Sequence, residues 1–170
     1  VGKKVIDIGC GPRGSLEWLD DSKLRVGIDP LMPDYLQLGV TGHKTSYVAC
    51  NAEQLPFANA SFDIVTSINS LDHVDDLSLT LNEIARILTS GGRFIFLVEV
   101  HPKATLSEPI TIPWNLTTQL SNDFRVVSEY HYEEAKHRPG SAAAARASAP
   151  FNHNNPEKRS GALLATLERL

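Results

Sequence analysis

Gly9-Cys10-Gly11-Pro12-Arg13-Gly14 follows a short run of β-branched residues, and a G-x-G-x-x-G turn of this kind lets backbone approach a nucleotide closely. Alone it serves dinucleotides and other nucleosides equally. Asp29, twenty positions after Gly9, adds a carboxylate that can accept hydrogen bonds from both ribose hydroxyls, again in either case. Asp7 separates the two. A carboxylate at the strand tip would repel a pyrophosphate and attract a cationic sulfonium carrying an ammonium group. These residues therefore point to an amino-acid nucleoside.

Such groups need elements to hold them. Lys4 to Ile8 reads as a strand, the glycine turn follows, and Leu16, Trp18 and Leu19 suggest a helix opening near Ser15. Leu24 to Ile28 is a second strand, with a short helix carrying Tyr35, Leu36 and Leu38 after Pro33. Thr45 to Cys50 and Ser61 to Ile68 are the third and fourth strands. Asp75 is a plausible cap for a helix in which Leu77, Leu81, Ile84 and Leu88 recur at helical spacing, and Gly91-Gly92 ends it. Arg93 to Val100 is almost wholly apolar, as a central parallel strand covered on both faces should be. Leu116 and Leu120 suggest one more helix, and Phe124 to Tyr132 and Gly161 to Glu168 are the last strands.

This alternation predicts an α/β fold: a doubly wound, mostly parallel seven-stranded sheet with helices on both faces and a C-terminal antiparallel hairpin. The whole chain, 1–170, is expected to be a single domain. Residues 136–160, rich in Ala, Arg, Pro and Asn, are expected to be a flexible insertion between the last two strands. Val1 lies just ahead of the first strand with nothing to cover it, so further N-terminal structure is expected.

Composition narrows the partners. Sixteen Lys plus Arg against twenty Asp plus Glu give a net charge of -4, which argues against nucleic acid. No apolar run is long enough for a membrane span. Cys10 and Cys50 end apolar segments, as buried thiols do in a reducing, cytoplasmic setting. The six histidines show no ligand spacing, so no metal is predicted.

Val5-Ile-Asp-Ile-Gly-Cys-Gly-Pro12 resembles the first motif of class I methyltransferases, and Asn51-Ala-Glu-Gln-Leu-Pro-Phe57 resembles their adenine-contacting loop. Ser61 to Val65, Leu71-Asp-His-Val74 and the helix through Glu83 and Arg86 to Gly92 follow in the family's order, so the resemblance covers about residues 4 to 100. Two departures stand out. Arg13 occupies the usual place of the third glycine, and Asn51 replaces the acid often found at the adenine loop, where its amide can still donate and accept.

The resemblance implies S-adenosylmethionine as cofactor. Asp7 with Gly9, Cys10 and Gly11 would hold the methionine end, Asp29 the ribose, and Asn51, Ala52 and Glu53 the adenine region. Asn69 and Ser70 would lie near the methyl group. The implied activity is methyl transfer to a small molecule or biosynthetic intermediate, on oxygen ahead of nitrogen or carbon. A scaffold domain without catalysis is the alternative, and a dinucleotide-dependent oxidoreductase is a weaker one. The segment from Glu99 through Glu108 to Trp114 should wall the acceptor side, with Trp114 either a core anchor or a substrate wall. His73 and His101 are the candidate catalytic bases, since an imidazole takes up a proton near neutrality.

Overall fold

A computed structural model describes residues 2–39, 42–133, 149–155 and 160–170. Strands β1 (Lys3–Ile8), β2 (Ser22–Ile28), β3 (Ser46–Val48), β4 (Phe62–Ile68), β5 (Leu88–Val100), β6 (Phe124–Glu133) and β7 (Gly161–Arg169) form one sheet. Their order is β3-β2-β1-β4-β5-β7-β6. The first five strands are parallel, and β7 runs antiparallel to both β5 and β6. This is the doubly wound sheet expected, ending in an antiparallel pair.

Strand alternation assigns the faces. Phe94, Phe96 and Val98 of β5 share one face with Ile6, Ile8, Val65, Leu163 and Leu167, all buried. Helix α2 (Leu77–Ile87) closes over them with Leu81 and Ile84, and the short α3 (Leu116–Gln119) with Leu116. Leu97 and Leu164 point the other way, into a smaller cluster with Ile68, Tyr132 and Ala162. No helix among the described residues joins that second cluster. None is long and apolar enough to cross a membrane.

The helix expected near Ser15 is not formed. Residues 11 to 21 make a succession of turns, because only Leu16 is buried while Trp18 is 77% exposed, so no apolar stripe exists to dock a helix. Side chains hold the turns instead. Glu17 accepts the amides of Lys44 (3.1 Å) and Thr45 (2.8 Å), and the Tyr47 hydroxyl donates to the Arg13 carbonyl at 2.8 Å.

Two helix boundaries also differ. Asp76, not Asp75, caps α2, accepting the Leu79 amide at 2.9 Å. The helix ends at Ile87, and Gly91 and Gly92 lie inside β5, where the pairing with β4 shifts register. A side chain at Gly92 would come within 2.8 Å of the Thr89 carbonyl oxygen, so the bulge requires glycine.

The segment 136–160, expected as a flexible insertion, falls largely outside the described residues. Its described residues are 149–155 and 160. Pro150 bridges to Tyr132, the Phe151 amide donates to the His131 carbonyl at 2.9 Å, and the Phe151 ring lies 4.4 Å from Trp114.

Candidate cofactor cleft and acceptor cavity

A cleft of about 450 Å³ opens at the carboxyl ends of β1, β2, β3 and β4. Gly9, Gly11, Asp29, Asn51, Ala52, Glu53, Asn69, Ser70 and His73, all expected at the site, line it together. Its size suits a nucleoside-sized ligand, since pockets of roughly 300 to 1,000 Å³ hold such molecules.

Each wall is braced from behind. Asp29, at the tip of β2, accepts the amides of Gly11 and Leu31, both at 2.9 Å, and a carboxylate has further lone pairs to offer. Glu53 accepts the amides of Asp75 (2.8 Å) and Asp76 (3.1 Å), tying the loop after β3 to the start of α2. Asn69 turns the chain at the tip of β4 with φ of 53°, a conformation uncommon outside glycine. Ser70 donates to the Ile8 carbonyl at 2.7 Å and lies 2.6 Å from the Ser67 hydroxyl.

Asp7 and Cys10 are not among the residues that line the cleft. Asp7 accepts the Ser15 amide (2.8 Å) and the Thr66 hydroxyl (2.6 Å), so it braces the turn after β1. Neighbouring residues of a strand point to opposite faces, and Asp7 turns away from the face of Ile6 and Ile8. Burial raises its carboxyl above the ordinary range, opposed by those hydrogen bonds. Cys10 is buried against Gly27, and its thiol donates to the Gly11 carbonyl at 3.3 Å. Burial, followed by the nearby Asp7 and Asp29 carboxylates, pushes that thiol up to about 12, which leaves it a packing group.

Other features also disfavour a pyrophosphate. No helix follows the glycine turn to offer its N-terminus to an anion. Asp29, Glu53 and Asp75 give the cleft three carboxylates, with no Lys or Arg among the described lining residues. That field favours a cationic ligand.

The sequence reading missed several contributors. Pro30, Leu31 and Tyr35 also line the cleft, and the Asp29-Pro30 pair at a strand end was the available signal. Glu83 and Arg86 scaffold the loop after β3. Glu83 accepts the Leu55 amide at 2.7 Å, while Arg86 donates to the carbonyls of Phe57 (2.7 Å) and Leu55 (3.0 Å) and binds both Glu83 oxygens. The Arg86 guanidinium holds the Glu83 carboxyl below its usual range. Arg86→Ala is expected to lower stability by about 2 kcal/mol, since it strands two carbonyls and a carboxylate. It should also weaken cofactor binding, because the same loop carries Asn51 to Glu53. Thermal melting and calorimetry check the two effects separately.

His101 lies apart from the cleft. It lines a second, more open cavity of about 790 Å³ with Pro102, Ile112, Trp114, Phe151 and His153. Trp114 is part of that wall, its ring tilted against those of His131 (4.6 Å) and Phe151 (4.4 Å). Asp72 stands between the two spaces. Its Oδ1 is 3.7 Å from Nε2 of His73, the residue on the cleft side.

The chain matches the sequence profile described as "Methyltransferase domain" over residues 6–96. It is 38% identical over 125 residues to the ubiquinone/menaquinone biosynthesis C-methyltransferase UbiE of Psychromonas ingrahamii, covering 65% of this chain and 47% of that protein. It is 29% identical over 120 residues to the chloroplastic tocopherol O-methyltransferase of Arabidopsis thaliana, covering 66% and 34%. The chain thus spans about a third to a half of the length of these curated relatives. In shape it is similar to the crystal structure of geranyl diphosphate C-methyltransferase from Streptomyces coelicolor A3(2), solved with Mg2+, geranyl diphosphate and S-adenosyl-L-homocysteine. That likeness has a TM-score of 0.70 at 15% identity, covering 99% of this chain and 71% of the other, and it concerns the fold. Residues 6–96 are more than half of the chain, and the chain belongs to the methyltransferase-domain family, whose methyl donor is S-adenosylmethionine.

Proposed function

We propose that this chain transfers the methyl group of S-adenosylmethionine to a small, largely apolar acceptor. The observation that carries this reading is the pairing of an acidic nucleoside-sized cleft with an aromatic-walled cavity, the two separated by His73, Asp72 and His101. S-adenosylmethionine supplies an electrophilic methyl group on a sulfonium centre. The chain's own contribution is to hold the donor in the acidic cleft and the acceptor against Trp114, so that an intermolecular step gains effective concentration.

Two relatives are named for transfer to oxygen and to carbon respectively, so family membership leaves the acceptor atom open. Oxygen is favoured here because a proton acceptor faces the cleft. His73 has Nδ1 2.6 Å from the Ser107 carbonyl oxygen, which fixes that nitrogen as the donor and leaves Nε2 to take a proton. His101 is turned towards the second cavity, so the base role expected of both histidines falls to His73.

Asp29→Ala is expected to weaken S-adenosylmethionine binding about tenfold or more, from the loss of charged hydrogen bonds to the ribose hydroxyls. Calorimetry on a variant that melts normally decides it, with NAD titrated in parallel. Unchanged affinity would sink the ribose assignment, and tighter binding of NAD would sink the donor.

A further inference from the structure

We propose that Asp72, His101 and Glu108 bind one divalent transition-metal ion between the cleft and the acceptor cavity. One ligand atom from each of the three lies within 4.8 Å of the others. Asp72 is only 1% exposed, and its Oδ1 is fully buried with no hydrogen-bond partner among the described residues. Nε2 of His101 is in the same condition. It faces Glu108 Oε2 at 3.4 Å without making a hydrogen bond. Two buried polar atoms left unmade cost roughly 1 to 3 kcal/mol each, and a folded chain seldom carries that without a compensating ligand.

Two of the three groups, His101 and Glu108, are also aimed from behind, as metal ligands are. Nδ1 of His101 lies 2.6 Å from the Lys103 carbonyl oxygen, which makes Nδ1 the donor and turns the Nε2 lone pair inward. Glu108 is set by Thr105, whose hydroxyl accepts the Glu108 amide at 3.0 Å and donates to Oε2 at 3.3 Å. The backbone carbonyl of Asp72 accepts the Ile110 amide at 3.2 Å, which joins the loop after β4 to the loop after β5. In a tetrahedral site with bonds of roughly 2.0 to 2.1 Å, ligand atoms sit about 3.3 to 3.4 Å apart, the separation His101 and Glu108 already have. One imidazole and two carboxylates suit Zn2+, Mn2+ or Fe2+ better than Mg2+ or Ca2+. Three protein ligands leave a coordination position for water or for an oxygen of the acceptor.

The test is direct binding on the full, untagged chain. Zn2+ is titrated in competition with a chromophoric chelator, and Mn2+ binding is followed by electron paramagnetic resonance. One saturable equivalent is expected. His101→Ala and Glu108→Gln should each weaken it by about tenfold or more, while affinity for S-adenosylhomocysteine stays at the wild-type value. His131→Ala with His153→Ala removes the other histidine pair and should bind Zn2+ like wild type. No saturable binding at millimolar metal overturns the site and leaves a proton shared among the three groups as the account of the buried atoms. Equal binding by wild type, His101→Ala and Glu108→Gln also overturns it, since the ion is then held elsewhere.

Discussion

Gly9→Ala is expected to cost the fold roughly 2 to 5 kcal/mol and to abolish measurable cofactor binding, the sum of a steric and a conformational penalty. A methyl group built on Gly9 would sit 2.3 Å from Cβ and 2.8 Å from Oγ of Ser70. Ser70 has nowhere to go, because its hydroxyl is held by the Ile8 carbonyl and Ser67 and the residue is 8% exposed. The backbone at Gly9 has φ of 65°, which a side chain resists as well. At this chain length each kcal/mol moves melting by roughly 2 to 4 °C, so the variant should melt about 10 °C lower. Adding Ser70→Gly should recover the steric part and leave the conformational part. A Gly9→Ala variant that melts with the wild type would show that the turn and the β4 tip do not meet as described.

His73→Ala is expected to lower the transfer rate by about 100-fold or more, the usual scale for a positioned base and equivalent to about 2.7 kcal/mol of barrier. Its side chain is 46% exposed and meets the Ser107 carbonyl at 2.6 Å and Asp72 Oδ1 at 3.7 Å. Stability and S-adenosylmethionine affinity should therefore hardly change. Single-turnover rates, with any acceptor the wild type methylates, separate this outcome from a structural role. A variant that turns over at the wild-type rate with such an acceptor is incompatible with a base at this position, and holding the reactants together would then be the protein's whole contribution.

The two predictions differ in how far they could be read from the chain. Gly9 belongs to a local motif, and its neighbours Asp29, Asn51 to Glu53, Asn69 and Ser70 each lie within five residues of a strand's carboxyl end. Parallel topology carries the ends of those strands to one edge of the sheet, so recognising the strands was enough to gather the cleft. The contacts of Asp7 were not legible, for an equally local reason. Motif spacing says which residue lies near the turn, but the pleat decides which way it points, and here it points to Ser15 and Thr66.

The acceptor side has no such local rule. Asp72 and His101 lie in the loops after two different strands, and Glu108 stands in a loop whose path depends on the Ile110 amide reaching the Asp72 carbonyl. A search for metal spacing along the sequence could not find them, because their proximity exists only across two loops. Phe151 and His153 lay in a segment read as a linker, yet they complete the wall around Trp114.

The strands and the cleft at their ends were legible in the chain, because β-branched apolar runs and glycine turns act over a few residues and parallel topology does the rest. Packing across the whole fold accounts for the missing helix after the glycine turn, for the bonding of Asp7 to Ser15 and Thr66, and for the meeting of Asp72, His101 and Glu108. Each of those outcomes depends on side chains brought together from distant parts of the chain, Glu17 on Thr45 and Glu108 beside His101 among them. Pairings of that kind are selected by burial and hydrogen bonding in three dimensions and leave no periodic mark on the chain.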